Sequence, residues 1–162
     1  MATDYVLVPE APGLDDYLQL RRLAGLSPKT RTQGSGALGG SWAFCHVRVR
    51  GTDEVVAMGR VIGDGGWYFL IADMAVLPAH QRQGLGRRVI EHLIECVTIA
   101  VPDAYLTLMA DSPGRRLYES VGFVDAMPES LGMVHARRSM GSRQLTPTGQ
   151  VGGDAADGQG LK

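Results

Sequence analysis

Six residues, Gln81-Arg82-Gln83-Gly84-Leu85-Gly86, combine types in an order suited to holding a phosphate group. Leu85, Val89, Leu93 and Val97 recur at four-residue spacing, which predicts that a helix begins there. The first turn of a helix carries backbone N–H groups without partners and the positive end of the helix dipole. It therefore attracts an anion even without a basic side chain. Gly84 and Gly86 remove side chains where a phosphate would approach, while Arg82, Arg87 and Arg88 make the local field positive in a chain of net charge −1. A pair of glycines ahead of a helix also makes an ordinary tight turn, so spacing alone leaves both readings open. A second block, Leu108-Met-Ala-Asp-Ser-Pro-Gly-Arg-Arg-Leu-Tyr118-Glu-Ser-Val-Gly122-Phe123, follows about thirty residues later.

The pattern Gln81-x-x-Gly84-x-Gly86 resembles the signature of the GNAT N-acetyltransferase superfamily: Arg or Gln, two residues, Gly, one residue, then Gly or Ala. The later block, ending Leu117-Tyr118-x-x-x-Gly122-Phe123, is similar to that superfamily's second cofactor-binding segment. The close resemblance spans about Asp73 to Phe123, roughly a third of the chain. Beyond it, the order of elements fits the family but the motifs do not extend.

The resemblance implies acetyl-CoA as co-substrate and a primary amine as acceptor. Its pantetheine arm would pair with exposed backbone at Met74, Ala75 and Val76, as an added strand pairs with an open edge. The pyrophosphate would sit on the N–H groups of Arg82, Gln83, Gly84, Leu85, Gly86 and Arg87, with Gln81 completing the signature. Arg82 or Arg87 would add a charge-assisted contact. Backbone N–H near Val76 would polarise the thioester carbonyl. Tyr118 matches the family position whose phenol faces the departing sulfur; a phenol of pKa ~10 stays protonated at neutral pH and can act as general acid. Asp73, three residues before Val76, is the best-placed carboxylate. It would act as general base, bind the acceptor ammonium, or bond nearby backbone. In the second segment Asp111 and Arg115 are the candidates for cofactor contact. Many family members carry Asn near position 111; here Asp111-Ser112-Pro113 stands there, and Asp111 or Ser112 can cap the following helix. Trp42 is a candidate for the acceptor wall, or is plain packing. A small amine is expected as acceptor; the alternatives are a protein lysine, an N-terminal amine, or a chain that binds an acyl-CoA without turnover.

The elements that must position these residues are expected in the following order. Tyr5 to Val8 is a first strand, and Asp15 to Ala24 a helix with Leu14, Tyr17, Leu18, Leu20 and Leu23 inward and Arg21 and Arg22 suited to its C-terminal dipole. Ser27 and Pro28 predict a helix start. The glycines from Gly34 to Gly40 predict a short helix that gives way to a mobile loop. Three strands follow in an antiparallel meander, Trp42 to Arg50, Glu54 to Ile62 and Trp67 to Val76, joined by Gly51-Thr52-Asp53 and Gly63-Asp64-Gly65-Gly66. A long helix from about Gly84 to Ala100 then leads to a strand from Ala104 to Ala110. A crossover of that kind makes the strands on either side parallel. A helix from Pro113 to Ser120 and a last antiparallel pair, Phe123 to Ala126 with Leu131 to Ala136, complete the expectation. The fold class is α/β (α+β): a single GNAT domain over residues 1–138, its mixed sheet mostly antiparallel with a splayed parallel pair and flanking helices.

Residues 139–162 are polar and glycine-rich and predict a disordered tail. A chain of 162 residues with 44% apolar and 20% charged residues is long enough to bury a core without disulfides. Near-neutral charge argues against a general nucleic-acid or membrane-surface binder. Cys45 and Cys96 have no partner at metal-ligand spacing, so no metal is expected. No basic, apolar leader opens the chain and no apolar run approaches the ~20 residues of a membrane span, so the cytoplasm is the expected compartment. The resemblance leaves a homodimer open.

Overall fold

The computed structural model describes residues 3–134. Five strands form one sheet in sequence order: β1 (Tyr5–Val8), β2 (Ala43–Val49), β3 (Val55–Gly63), β4 (Tyr68–Val76) and β5 (Tyr105–Leu108). β1 to β4 pair antiparallel, and β4 with β5 is parallel. The helices are α1 (Leu14–Leu23), α2 (Arg31–Gly39), α3 (Leu85–Ala100) and α4 (Arg115–Glu119). The crossover through α3 makes the parallel pair, as expected from the helix between those strands.

Both sheet faces are covered, which explains why the centre of β2 is buried on every residue from Phe44 to Val47. One face takes the apolar stripe of α3, where Leu85, Val89, Ile90, Leu93 and Val97 pack on Cys45, Val47, Val61, Phe69 and Ile71. The other takes α1, with Tyr17 and Leu20 against Phe44, Met58 and Ala75.

β4 departs from plain alternation. Phe69, Ile71, Met74 and Val76 all pack with the α3 side, so two residues, Ala72 and Asp73, lie between Ile71 and Met74 where one would suffice. The ladder to β3 shows the same excess: Arg60 faces Ala72 and Met58 faces Ala75. This is a β-bulge, and Asp73 takes up the strain at φ 55°. Gly59 stands opposite the bulge because a Cβ there would lie 2.6 Å from Met74 Sδ. On its other edge β4 pairs with β5 only from Tyr68 to Ile71, so the backbone from Ala72 to Val76 is free of β5.

Several sequence expectations need correction. The segment from Gly34 to Gly39 is helix, not loop: Thr30 caps α2 in a reciprocal capping box with Gln33. Gly34 lets α2 approach α1, since a Cβ there would lie 2.7 Å from Leu14 Cδ1. The start lies at Thr30, not Ser27. Leu23 is exposed, and the inward position of that turn belongs to Arg21. The expected last hairpin is not formed in the described residues: 123–126 and 131–134 carry no strand. There the backbone closes on itself, with Ser130 N–H donating to Ala126 O and Met127 N–H to the Asp125 carboxylate. The remainder of that hairpin, and the expected tail, lie outside the described residues.

Candidate active site

A cleft of about 220 Å³ opens where β4 and β5 part. Its walls include Leu70, Ala72, Asp73 and Met74 of β4, Leu108 and Met109 at the end of β5, and Leu26, Asp111 and Tyr118. The fold therefore brings Asp73 and Tyr118, 45 positions apart in sequence, to one cavity.

Tyr118 lies on α4, with its ring edge-on to Phe123 at 6.4 Å and over Gly114, where a Cβ would meet it at 2.9 Å. Its hydroxyl has no hydrogen-bond partner among the described residues. Burial, and secondarily the charge of Asp111, push its pKa above the ordinary phenol value, so it holds its proton at neutral pH. Asp111 lines the cleft but makes no side-chain cap, contrary to the capping expectation; only its backbone carbonyl accepts, from Gly114 N–H.

Asp73 sits in a tight charge network. Arg21 Nη1 lies 2.5 Å from Oδ1, while Arg60 Nε and the Tyr17 hydroxyl each donate to Oδ2 at 2.6 Å. Burial alone would raise its pKa, but the hydrogen bonds from Tyr17 and Arg60 and both guanidinium charges outweigh it, and the carboxyl titrates below its usual range. A carboxylate has about four acceptor positions; three are taken, and the remaining basicity is reduced. This does not suit the direct general base named among its expected roles. Arg21 is also held by Ser27 O, accepting at 2.9 Å from Nη2, and so pins the α1–α2 connection to β4. Sequence reasoning missed Tyr17, Arg21 and Arg60 as a group. The usable signal was Tyr17 and Arg21 one helical turn apart on the covered face of α1, with Arg60 inside an otherwise apolar strand.

The turn before α3 is built from backbone. Arg82 and Gly84 both have positive φ, 61° and 76°, and no side chain caps α3. Its first-turn N–H groups are thus left open, as in an anion-binding concavity. Gly84 is required by its left-handed backbone. Gly86 has a different reason: a Cβ there would lie 3.2 Å from Leu117 Cδ2, so it serves the contact of α3 with α4. Gln81 folds back, its Nε2 donating to Val76 O at 3.2 Å. Gln83 accepts from the Tyr5 hydroxyl at 2.8 Å, anchoring the turn to β1. Arg82 makes no ion pair among the described residues, whereas Arg87 is bound to Glu91 at 3.0 Å and Ser120 at 2.7 Å. Arg115 is paired with Asp125 at 2.9 Å. Trp42 lies outside the cleft, stacked edge-on against Phe69 on the α3 side at 4.8 Å, so it does not form the expected acceptor wall.

Cys45 is buried and its pKa is pushed to about 12, which removes it as a nucleophile. Among the described residues no group of His, Cys, Asp or Glu is arranged to hold a metal, and no helix is long and apolar enough to cross a membrane.

The mixed sheet thus parts beside an uncapped helix start, leaving strand backbone and helix N–H groups open. The sequence profile of the acetyltransferase (GNAT) domain matches residues 41–125. A solved protein of unknown function from methicillin-resistant Staphylococcus aureus, described as a probable acetyltransferase, is 36% identical. The match covers 83% of this chain and all of that one, with a TM-score of 0.76. A GNAT-family acetyltransferase from Streptococcus pneumoniae shares the fold at 24% identity, over 85% of this chain and all of that one, with a TM-score of 0.63. The ribosomal-protein-S18-alanine N-acetyltransferase of Escherichia coli does so at 23%, over 76% and 80% of the two chains, with a TM-score of 0.65. No curated protein matches. The chain belongs to the GNAT acetyltransferase family and is an acyltransferase. The family implies acetyl-CoA as co-substrate.

Proposed function

We propose that this enzyme moves the acetyl group of acetyl-CoA to the primary amine of a small molecule by direct attack within a ternary complex. The observation that carries the reading is the shared cleft: an unpartnered phenol on one wall, a charge network on the other, and unpaired β4 backbone between them. The free edge from Ala72 to Val76 holds the pantetheine amides, and the open N–H groups from Arg82 to Arg87 hold the pyrophosphate, with Arg82 as the added cation. Backbone N–H near Val76 polarises the thioester carbonyl.

The amine nitrogen forms a bond to the carbonyl carbon, the C–S bond breaks, and Tyr118 gives its proton to the departing sulfur. The surplus amine proton leaves to water, and solvent reprotonates the phenolate. Asp73 organises the acceptor end through Tyr17, Arg21 and Arg60 and does not take the amine proton directly. The balance is acetyl-CoA plus amine giving acetamide plus free thiol.

Calorimetry with acetyl-CoA, followed by thiol release against a panel of amines, tests this. Tyr118→Phe is expected to keep acetyl-CoA affinity within about twofold while lowering turnover by about 10²-fold or more. Loss of affinity in that variant would make the phenol a packing residue. Failure of the wild type to bind acetyl-CoA would sink the reading.

A further inference from the structure

Two guanidinium groups, Arg21 and Arg60, converge on the single carboxylate of Asp73, so the network carries one unit of positive charge in excess. The two arginines are not equally used. Arg21 is 95% buried at its side chain and spends Nη1 on Asp73 and Tyr17, and Nε and Nη2 on Ser27 O. Arg60 spends Nε on Asp73 and Nη1 on the Ser41 hydroxyl at 3.3 Å. Its Nη2 has no partner among the described residues. Every fully buried side-chain nitrogen or oxygen among them is satisfied, so Nη2 keeps some exposure on a side chain that is 15% exposed. Arg60 does not itself line the cleft but stands beside it, paired in the ladder with Ala72 and bonded to Asp73, both of which do. Asp111, the other carboxylate of the cleft wall, bonds neither arginine.

From this juxtaposition we infer that the acceptor is an amine carrying an anionic group, a carboxylate or a phosphate, which docks on Arg60 Nη2 at the acceptor end of the cleft. The inference rests on the amine-transfer reading above and names its substrate class. A partly covered guanidinium with a free, fixed donor favours a planar or tetrahedral oxyanion. A second cation, such as a lysine side chain or a polyamine, meets the excess positive charge instead.

The test is a panel of matched pairs at saturating acetyl-CoA: amino acids against their C-terminal amides, and aminoalkyl phosphates against the corresponding amino alcohols. Thiol release is measured along with calorimetric binding of each member. The anionic member of a pair is expected to exceed its neutral counterpart in kcat/KM by about 10²-fold. Whether carboxylates or phosphates lead identifies the source of the anion. Arg60→Gln is expected to collapse that ratio to within about threefold, mainly through KM, and Arg60→Lys to recover part of it. The wild-type ratios stand alone if the glutamine variant does not fold. Equal use of neutral and anionic members, preference for cationic amines, or failure of every anionic amine to bind overturns the inference. Neutral amines that react as well as anionic ones leave the transfer reading standing. Anionic amines that bind through Arg60 but release no thiol uphold the inference and sink the transfer reading.

Discussion

The two ends of the cleft are made from different materials. The phosphate end is backbone: a left-handed glycine, a second residue at positive φ and an uncapped helix start, all within the six residues Gln81 to Gly86. The acceptor end is side chain: Tyr17 and Arg21 from α1, Arg60 from β3 and Asp73 from β4, meeting over 2.5–2.6 Å at the carboxylate. A backbone site depends on local conformation and tolerates changes of side chain. A side-chain site depends on every partner and on the packing that brings them together.

The largest expected effect is at the second kind of site. Asp73→Asn leaves the Arg21 cation buried without its counter-charge and is expected to lower stability by about 3–5 kcal/mol in urea unfolding. A loss below ~1 kcal/mol would mean that solvent already carries the arginines. The pH dependence follows the same group. The folded pKa of Asp73 is depressed, so its contribution is fully present above the unfolded value of ~3.9 and is lost as the pH falls through the lower folded value. Acid unfolding of the wild type should therefore show a limb below about pH 4 that flattens in Asp73→Asn.

At the backbone site the effects are smaller and should separate. Gly84→Ala must hold a left-handed conformation and is expected to cost about 1–2 kcal/mol while weakening coenzyme A affinity. Gly86→Ala presses on Leu117 and is expected to cost about 1–3 kcal/mol. If Gly86→Ala weakened coenzyme A binding without any loss of stability, the packing reason for that glycine would fall. The smallest change is Arg87→Ala: its ion pair with Glu91 is exposed, so stability should move by less than about 1 kcal/mol. Coenzyme A affinity should hold within about twofold, whereas Arg82→Ala should reduce it several-fold under low salt.

The same contrast explains what the sequence could disclose. The turn from Gln81 to Gly86 is contiguous, so its residues announce it, as do the periodic Leu85, Val89, Leu93 and Val97 of α3. The strand β2 was legible, but not that both its faces are covered, because cover comes from α1 and α3, remote in sequence. The extent of α2 through its glycines was misread because glycine propensity is a local measure, whereas Gly34 is chosen for the width of the gap to Leu14. Arg21 reads as an ordinary C-terminal cation until β4 supplies Asp73. Arg87 and Arg115 illustrate the converse: their positions suggest phosphate contacts, yet Glu91 and Asp125 occupy them.

Position 73 is surplus to the sheet. With Ile71 and Met74 both toward α3 and Ala72 toward the opposite side, a strand one residue shorter would keep each of those neighbours on its present face and its ladder with β3 unbroken. The sheet register does not need that residue; the charge network and the cleft do. Excising it would leave the core of this scaffold its present packing partners, strand Arg21 and Arg60 without a counter-ion, and remove the swelling at which β4 parts from β5. A single codon's length thus separates a seamless sheet from one with room for a reaction.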